Sequence, residues 1–195
     1  MRTNMLPGTK FALVIGLAAS AFVCAGARPV SAQNDLTPLT TEPKAALRIG
    51  AYLPSNKAIK RQIGQALPNA GFDYYISRNG AGGHNIVSID YMERGSGNHH
   101  LQMIPVTFGQ TNHQYNDGQY SKTYFGYGVG AYFTTLDITD SLGFDQRNHT
   151  TLFGGYINLG ADLSDSLFLD ARYHITSSAG SANPGGLQVT VGVRF

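Results

Sequence analysis

The sequence predicts an all-β fold, an eight-stranded antiparallel up-and-down β-barrel that crosses a membrane, and three observations carry that prediction. From Ala46 to Phe195 the dominant pattern is an alternation of apolar and polar residues, the mark of strands with two unlike faces. The apolar faces hold Leu, Val, Ile, Phe and Tyr, while the opposite faces hold glycine with scattered Arg, Asp, Tyr and His, where a soluble sheet would carry Lys and Glu. Composition agrees with a narrow lumen and a lipid-facing half: 24 of 195 residues are glycine, and 13% are charged against roughly 25% in ordinary soluble domains.

The first element is a targeting segment. Arg2 and Lys10 precede the apolar or small stretch Phe11 to Gly26, and Val30-Ser31-Ala32 supplies a small-residue cleavage site, so residues 1–32 read as a secretory signal peptide. The alternatives are an uncleaved anchor helix and a lipoprotein signal at Cys24, which the bulky Val23 disfavours. Cleavage removes Arg2, Lys10 and Arg28 and leaves 11 basic against 12 acidic residues, a net charge of −1. The whole-chain pI near 8.7 then has no bearing on nucleic-acid binding. Cys24 leaves as well, which excludes a disulfide scaffold and a cysteine-ligated metal. No other apolar run approaches the roughly 20 residues of a helical span, so a multi-helix membrane protein is excluded. Residues 33–45, rich in Thr and Pro, read as a flexible leader, and 46–195 as the barrel domain.

Eight strands follow. Ala46 to Leu53 sets Leu47, Ile49, Ala51 and Leu53 against Arg48, Gly50 and Tyr52. Gly71 to Ser77 is noisier. Asn85 to Glu93 opposes Val87, Ile89 and Tyr91 to Ser88, Asp90 and Met92. His100 to Gln110 is interrupted by Pro105, which cannot donate to a ladder, so an irregularity or bulge is expected there. Tyr124 to Thr134 presents Phe125, Tyr127, Val129, Ala131 and Phe133 against three glycines and Tyr132. Thr151 to Leu163 and Leu167 to Thr176 alternate likewise and are joined at Ser164-Asp165-Ser166. The last strand runs from Leu187 to Phe195, with Val189, Val191 and Val193 on its apolar face. Eight strands of about 10 residues suit an up-and-down barrel of the smallest common size.

Alternation assigns Arg48, Asp90, Asp162, Asp170, Arg172, His174 and Arg194 to the lumen, where charges must pair or be hydrated. A polar plug is the expectation, and a thin conduit the alternative, since eight strands are usually too narrow for a water-filled channel. Glycines opposite Tyr132 and Tyr156 let those rings cross the interior. His174 and Thr176 invite comparison with a base and nucleophile, but His174 faces the lumen, away from any lipid acyl ester. His99-His100 point to opposite sides of a strand and are poorly placed to share a metal; they read as solvated loop residues. No cofactor is expected. Between the first two strands, Ile59, Ile63 and Ala66 recur at helical spacing, with Ser55 as N-cap and Pro68 as stop. Lys57, Lys60 and Arg61 on that helix are the candidate contact for lipopolysaccharide phosphates.

The ending Gln188-Val189-Thr190-Val191-Gly192-Val193-Arg194-Phe195 resembles the C-terminal assembly signal of bacterial outer-membrane barrels, with Val191, Val193 and Phe195 at its apolar positions. Together with Tyr127-Gly128-Val129-Gly130-Ala131-Tyr132-Phe133 and Gly154-Gly155-Tyr156-Ile157-Asn158-Leu159-Gly160, it resembles the OmpX/OmpW-type outer-membrane β-barrel domain family. The resemblance implies an outer-membrane location, outer-membrane lipid and lipopolysaccharide as surroundings, and the barrel-assembly machinery as a partner during biogenesis. A monomer without nucleic-acid partners is expected. It also implies a structural or surface-interaction role through outer loops, with a lipid A-modifying enzyme or a narrow solute channel as alternatives. With the C-terminus in the periplasm, the outer gaps are residues 54–70, 95–99, 137–148 and 177–185, and the inner turns 78–83, 112–121 and 164–166.

Overall fold

The computed structural model describes residues 44–78, 83–116, 119–139, 145–179 and 182–195. The expected signal peptide (1–32), and the expected leader as far as residue 43, lie outside the described residues. Eight strands, β1 (Ala45–Pro54), β2 (Leu67–Arg78), β3 (His84–Ser96), β4 (His99–Asn116), β5 (Gln119–Thr139), β6 (Asp145–Asp162), β7 (Leu167–Thr176) and β8 (Gly186–Arg194), pair antiparallel in chain order. β8 pairs with β1 from Ala46↔Arg194 to Pro54↔Gly186, so the sheet closes and has no free edge around the barrel wall. Closure matters because hydrocarbon offers backbone groups no hydrogen-bond partners.

The two faces are inverted relative to a soluble protein. Phe153, Leu159 and Val129 are 76%, 70% and 67% exposed on the outside, while Arg48, Asp90 and Arg172 are buried inside. An apolar exterior wrapped around a charged interior is the polarity of a barrel in lipid. β1, β3, β5, β6, β7 and β8 place their residues on the faces that alternation assigns, because a one-residue slip would turn the whole apolar set inward.

Several boundaries depart from the sequence-based expectation. The segment 112–121 is not an inner turn: the β4–β5 ladder continues to Asn116↔Gln119 and needs only residues 117–118 to connect. The gap 137–148 is likewise paired as far as Thr139↔Asp145. β2 begins at Leu67 rather than Gly71, and β3 and β4 meet at Ser96↔His99 across a two-residue turn in which Gly97 has φ +58°. His99 and His100 therefore lie in a strand rather than a loop, and His100 Nε2 is 2.9 Å from Glu93 Oε1. Pro105 leaves a gap in the β3–β4 pairing between Ile89↔Val106 and Met92↔Met103, but the register is unchanged across it. The register shifts lie elsewhere, at Tyr75/Ser77 between β2 and β3 and at His113/Tyr115 between β4 and β5.

The helix α1 (Lys57–Gln62) forms between β1 and β2. Asn56, not Ser55, caps it, its Oδ1 accepting from the N–H groups of Ala58 (2.8 Å) and Ile59 (3.3 Å). The helix ends before Gly64, whose φ of +132° turns the chain, and Pro68 sits inside β2.

Candidate functional site

The lumen is stratified along the barrel axis into a cup at the end where β1 starts and β8 finishes (the terminus end), an ionic middle layer, and an apolar plug at the far end. The middle layer is built from alternate residues of β1, β2, β3, β6, β7 and β8. Asp73 is its centre: Arg48 Nη2 and Arg172 Nη2 each lie 2.9 Å from its carboxylate, and Ser88 Oγ donates to it at 2.5 Å. Arg48 Nη2 also reaches Asp90 at 3.0 Å, and Arg172 Nε reaches Asp170 at 2.8 Å. Arg172 donates further to Ser88 Oγ (3.1 Å) and lies 4.9 Å from the centroid of the Tyr156 ring. Asn158 Nδ2 and Tyr124 O–H donate to Asp170 at 2.7 and 3.0 Å. Pairing of this density is what keeps buried charges tolerable.

His174 stands next in the stack. Its Nε2 is 2.8 Å from Gln188 Oε1 and its Nδ1 is 3.0 Å from Tyr132 O–H, a geometry that suits Nε2–H donating to the amide and the phenol donating to Nδ1. Gln188 Nε2 donates onward to Asp90 (2.8 Å) and Asn69 (3.0 Å), which ties the histidine to the ionic layer. Thr176 is bonded to Asn183 at 3.1 Å, so it is engaged by the β7–β8 loop rather than by His174.

Of the seven lumen residues expected from alternation, the structure brings Arg48, Asp90, Asp170 and Arg172 into one layer, links His174 to it through Gln188, and sets Asp162 and Arg194 apart. Those two pair with each other at 2.8 Å in the terminus-end cup. There Arg194 also lies 4.4 Å over the Phe168 ring. The cup has a volume of about 440 Å³ and is floored by Asp73, Asp170 and Arg172. Sequence reasoning misses Asp73, because the adjacent aromatics Tyr74 and Tyr75 mask the alternation of β2. Ser88, Asn158 and Gln188 lie on faces alternation already turns inward, but a filter on charge passes over them.

The far end is closed by hydrophobic packing. Tyr52, Leu67, Met92, Leu101, Met103, Tyr132, Leu136 and Leu152 line it, and Ile59 and Ile63 of α1 with Ala179 and Ala182 of the β7–β8 loop are buried among them. Tyr52 O–H donates to the Pro184 carbonyl, holding that loop in place. The apolar side of α1 thus faces the barrel mouth, while Lys57, Lys60 and Arg61 are exposed on its outer side. On β8, Val191 and Val193 face outward and Phe195 is 48% exposed beside the β1 terminus, its N–H donating to the Ala45 carbonyl at 2.9 Å.

No protein-family model matches the chain, and no curated protein does. Among solved structures, the Yersinia pestis outer membrane protein Ail in a phospholipid bilayer nanodisc aligns with a TM-score of 0.51 at 16% identity, covering 79% of this chain and all of that one. Neisserial surface protein A aligns at 12% identity over 77% of this chain and 94% of its own, with a TM-score of 0.44. The first alignment supports the architecture seen here: the chain has the fold of a small eight-stranded outer-membrane β-barrel.

Proposed function

We propose that the protein is an integral outer-membrane barrel without catalytic activity, acting at the cell surface through the far-end loops. The observation that carries this reading is the way the described residues fill the lumen, with ion-paired side chains in its middle layer and hydrophobic packing in its far layer, which favours a plug over a solute conduit. Among the described residues, Thr135 Oγ1 and His149 Nδ1 lie 3.0 Å apart on the outer face, and Asp137, two residues along β5 from Thr135, pairs with Arg147 at 3.2 Å rather than orienting this histidine as a base.

Within this reading, Lys57, Lys60 and Arg61 contact the phosphates of lipopolysaccharide. Segment 55–66 contains no acidic residue, so the three cations meet no competing carboxylate on their own element. Replacing all three with Gln is expected to weaken association of the folded barrel with lipopolysaccharide vesicles at least tenfold. Unchanged association would remove this contact from the account.

A further inference from the structure

We infer that the far-end helix is a strap that presents a preorganised phosphate-binding surface, in which Arg94 of β3 joins the α1 cations and Gln62 is the positioning residue. The inference rests on the reading of Lys57, Lys60 and Arg61 given above and deepens it.

Six residues are too few for a stable isolated helix, so something outside α1 must hold it. The Asn56 cap holds one end, and Ile59 and Ile63 hold the underside. The other end is tied across the mouth. Gln62 Nε2 donates to the Thr139 carbonyl at 2.6 Å, and Gln62 Oε1 accepts from the Thr139 N–H at 2.9 Å. A primary amide is here used as a neighbouring strand would be, satisfying donor and acceptor of one β5 residue. In the closed order of eight strands β5 lies opposite β1, from which α1 departs, so the helix spans the mouth as a bar fixed at both ends.

Arg94 secures the same bar from a third side. It projects from β3, is exposed, and donates Nη1 to the Ala66 carbonyl at 2.5 Å in the link that follows α1. Its guanidinium lies over Gly64, where a Cβ would come within 2.9 Å of Arg94 Cζ, so glycine at 64 serves both the turn and this approach. The far end thus carries the exposed cations Lys57, Lys60, Arg61 and Arg94 on a backbone fixed by Gln62, Asn56 and Arg94 itself. Loose lysines on a mobile loop would have to be ordered at the moment of binding, whereas a fixed strap has much of that cost removed in advance.

The test is affinity of the folded full-length barrel for vesicles containing lipopolysaccharide, measured at several salt concentrations, with dephosphorylated lipopolysaccharide as the second arm. Heat-modifiable gel mobility confirms that each variant is folded. Gln62→Met keeps length and helix propensity but breaks both hydrogen bonds; it is expected to lower affinity roughly three- to tenfold while leaving the salt dependence unchanged, because no charge is lost. Arg94→Gln is expected to lower affinity and flatten the salt dependence together. Parent-like binding by both variants, with the triple Gln variant still impaired, would overturn the strap and leave the cation reading standing. Parent-like binding by the triple variant would instead overturn the underlying reading. Equal affinity for the dephosphorylated lipid would overturn phosphate as the ligand.

Discussion

Asp73 receives Arg48, Arg172 and Ser88 at once, and it is buried. Two guanidiniums face three carboxylates in this layer, and among the described residues Arg48 Nε and Nη1 have no hydrogen-bond partner. Replacing Asp73 with Ala leaves the charges matched two to two, Arg48 with Asp90 and Arg172 with Asp170, but removes the acceptor that bridges the two arginines and one charged hydrogen bond from each. The expected cost is about 2–4 kcal/mol of unfolding free energy, read from urea titration of the barrel in phospholipid. A loss below about 1 kcal/mol would mean that these charges are solvated rather than paired. The charged members of the layer are legible in sequence wherever alternation is clean, as for Asp170 and Arg172 on β7. Asp73 is not, because the faces of β2 are set by pairing with its neighbours rather than by its own pattern. The interior tyrosines are legible through their glycines: a Cβ at Gly128 would come within 2.5 Å of Tyr156 Cε1, and one at Gly154 within 3.0 Å of Tyr132 Cε2.

At the scale of elements, α1 shows how a correct local reading leaves the surroundings open. The spacing of Ile59 and Ile63 fixes an amphipathic helix, but periodicity says only that one side is buried, not against what. An interfacial helix would lay that side in lipid; here it seats in the barrel mouth, because the far half of the lumen is lined with apolar side chains from six strands. The consequence is measurable with trypsin, whose sites Lys57, Lys60 and Arg61 lie on the helix. The folded barrel is expected to resist cleavage there, and Ile59→Asp with Ile63→Asp should raise the cleavage rate at least tenfold while the barrel keeps its heat-modifiable mobility. Equal rates would show that α1 is not seated. The β4–β5 connection carries the opposite lesson: polar residues from Asn112 to Ser121 look like a turn, yet a ladder needs backbone partners rather than apolar side chains, and it runs on to Asn116↔Gln119.

For the whole molecule, strand number, faces and closure are legible because each follows from a rule with few alternatives: period 2 fixes the faces, lipid forbids an open edge, and chain length limits the count. What period 2 leaves open is how the lumen is filled. The same alternating pattern accommodates a wet conduit or a packed interior, and the outcome depends on pairings between strands far apart in sequence, such as Arg172 with Asp73 and Gln188 with Asn69. The described residues fill the lumen twice over, with ion pairs in the middle and hydrophobic packing under α1, and a cup lies at the terminus end. The most direct test is the conductance of the folded barrel in a planar lipid bilayer, with heat-modifiable mobility showing that the inserted protein is native. Insertion without porin-sized conductance steps is the expected result; regular steps of porin size from the native barrel would contradict the plugged lumen and, with it, the surface role assigned to this protein.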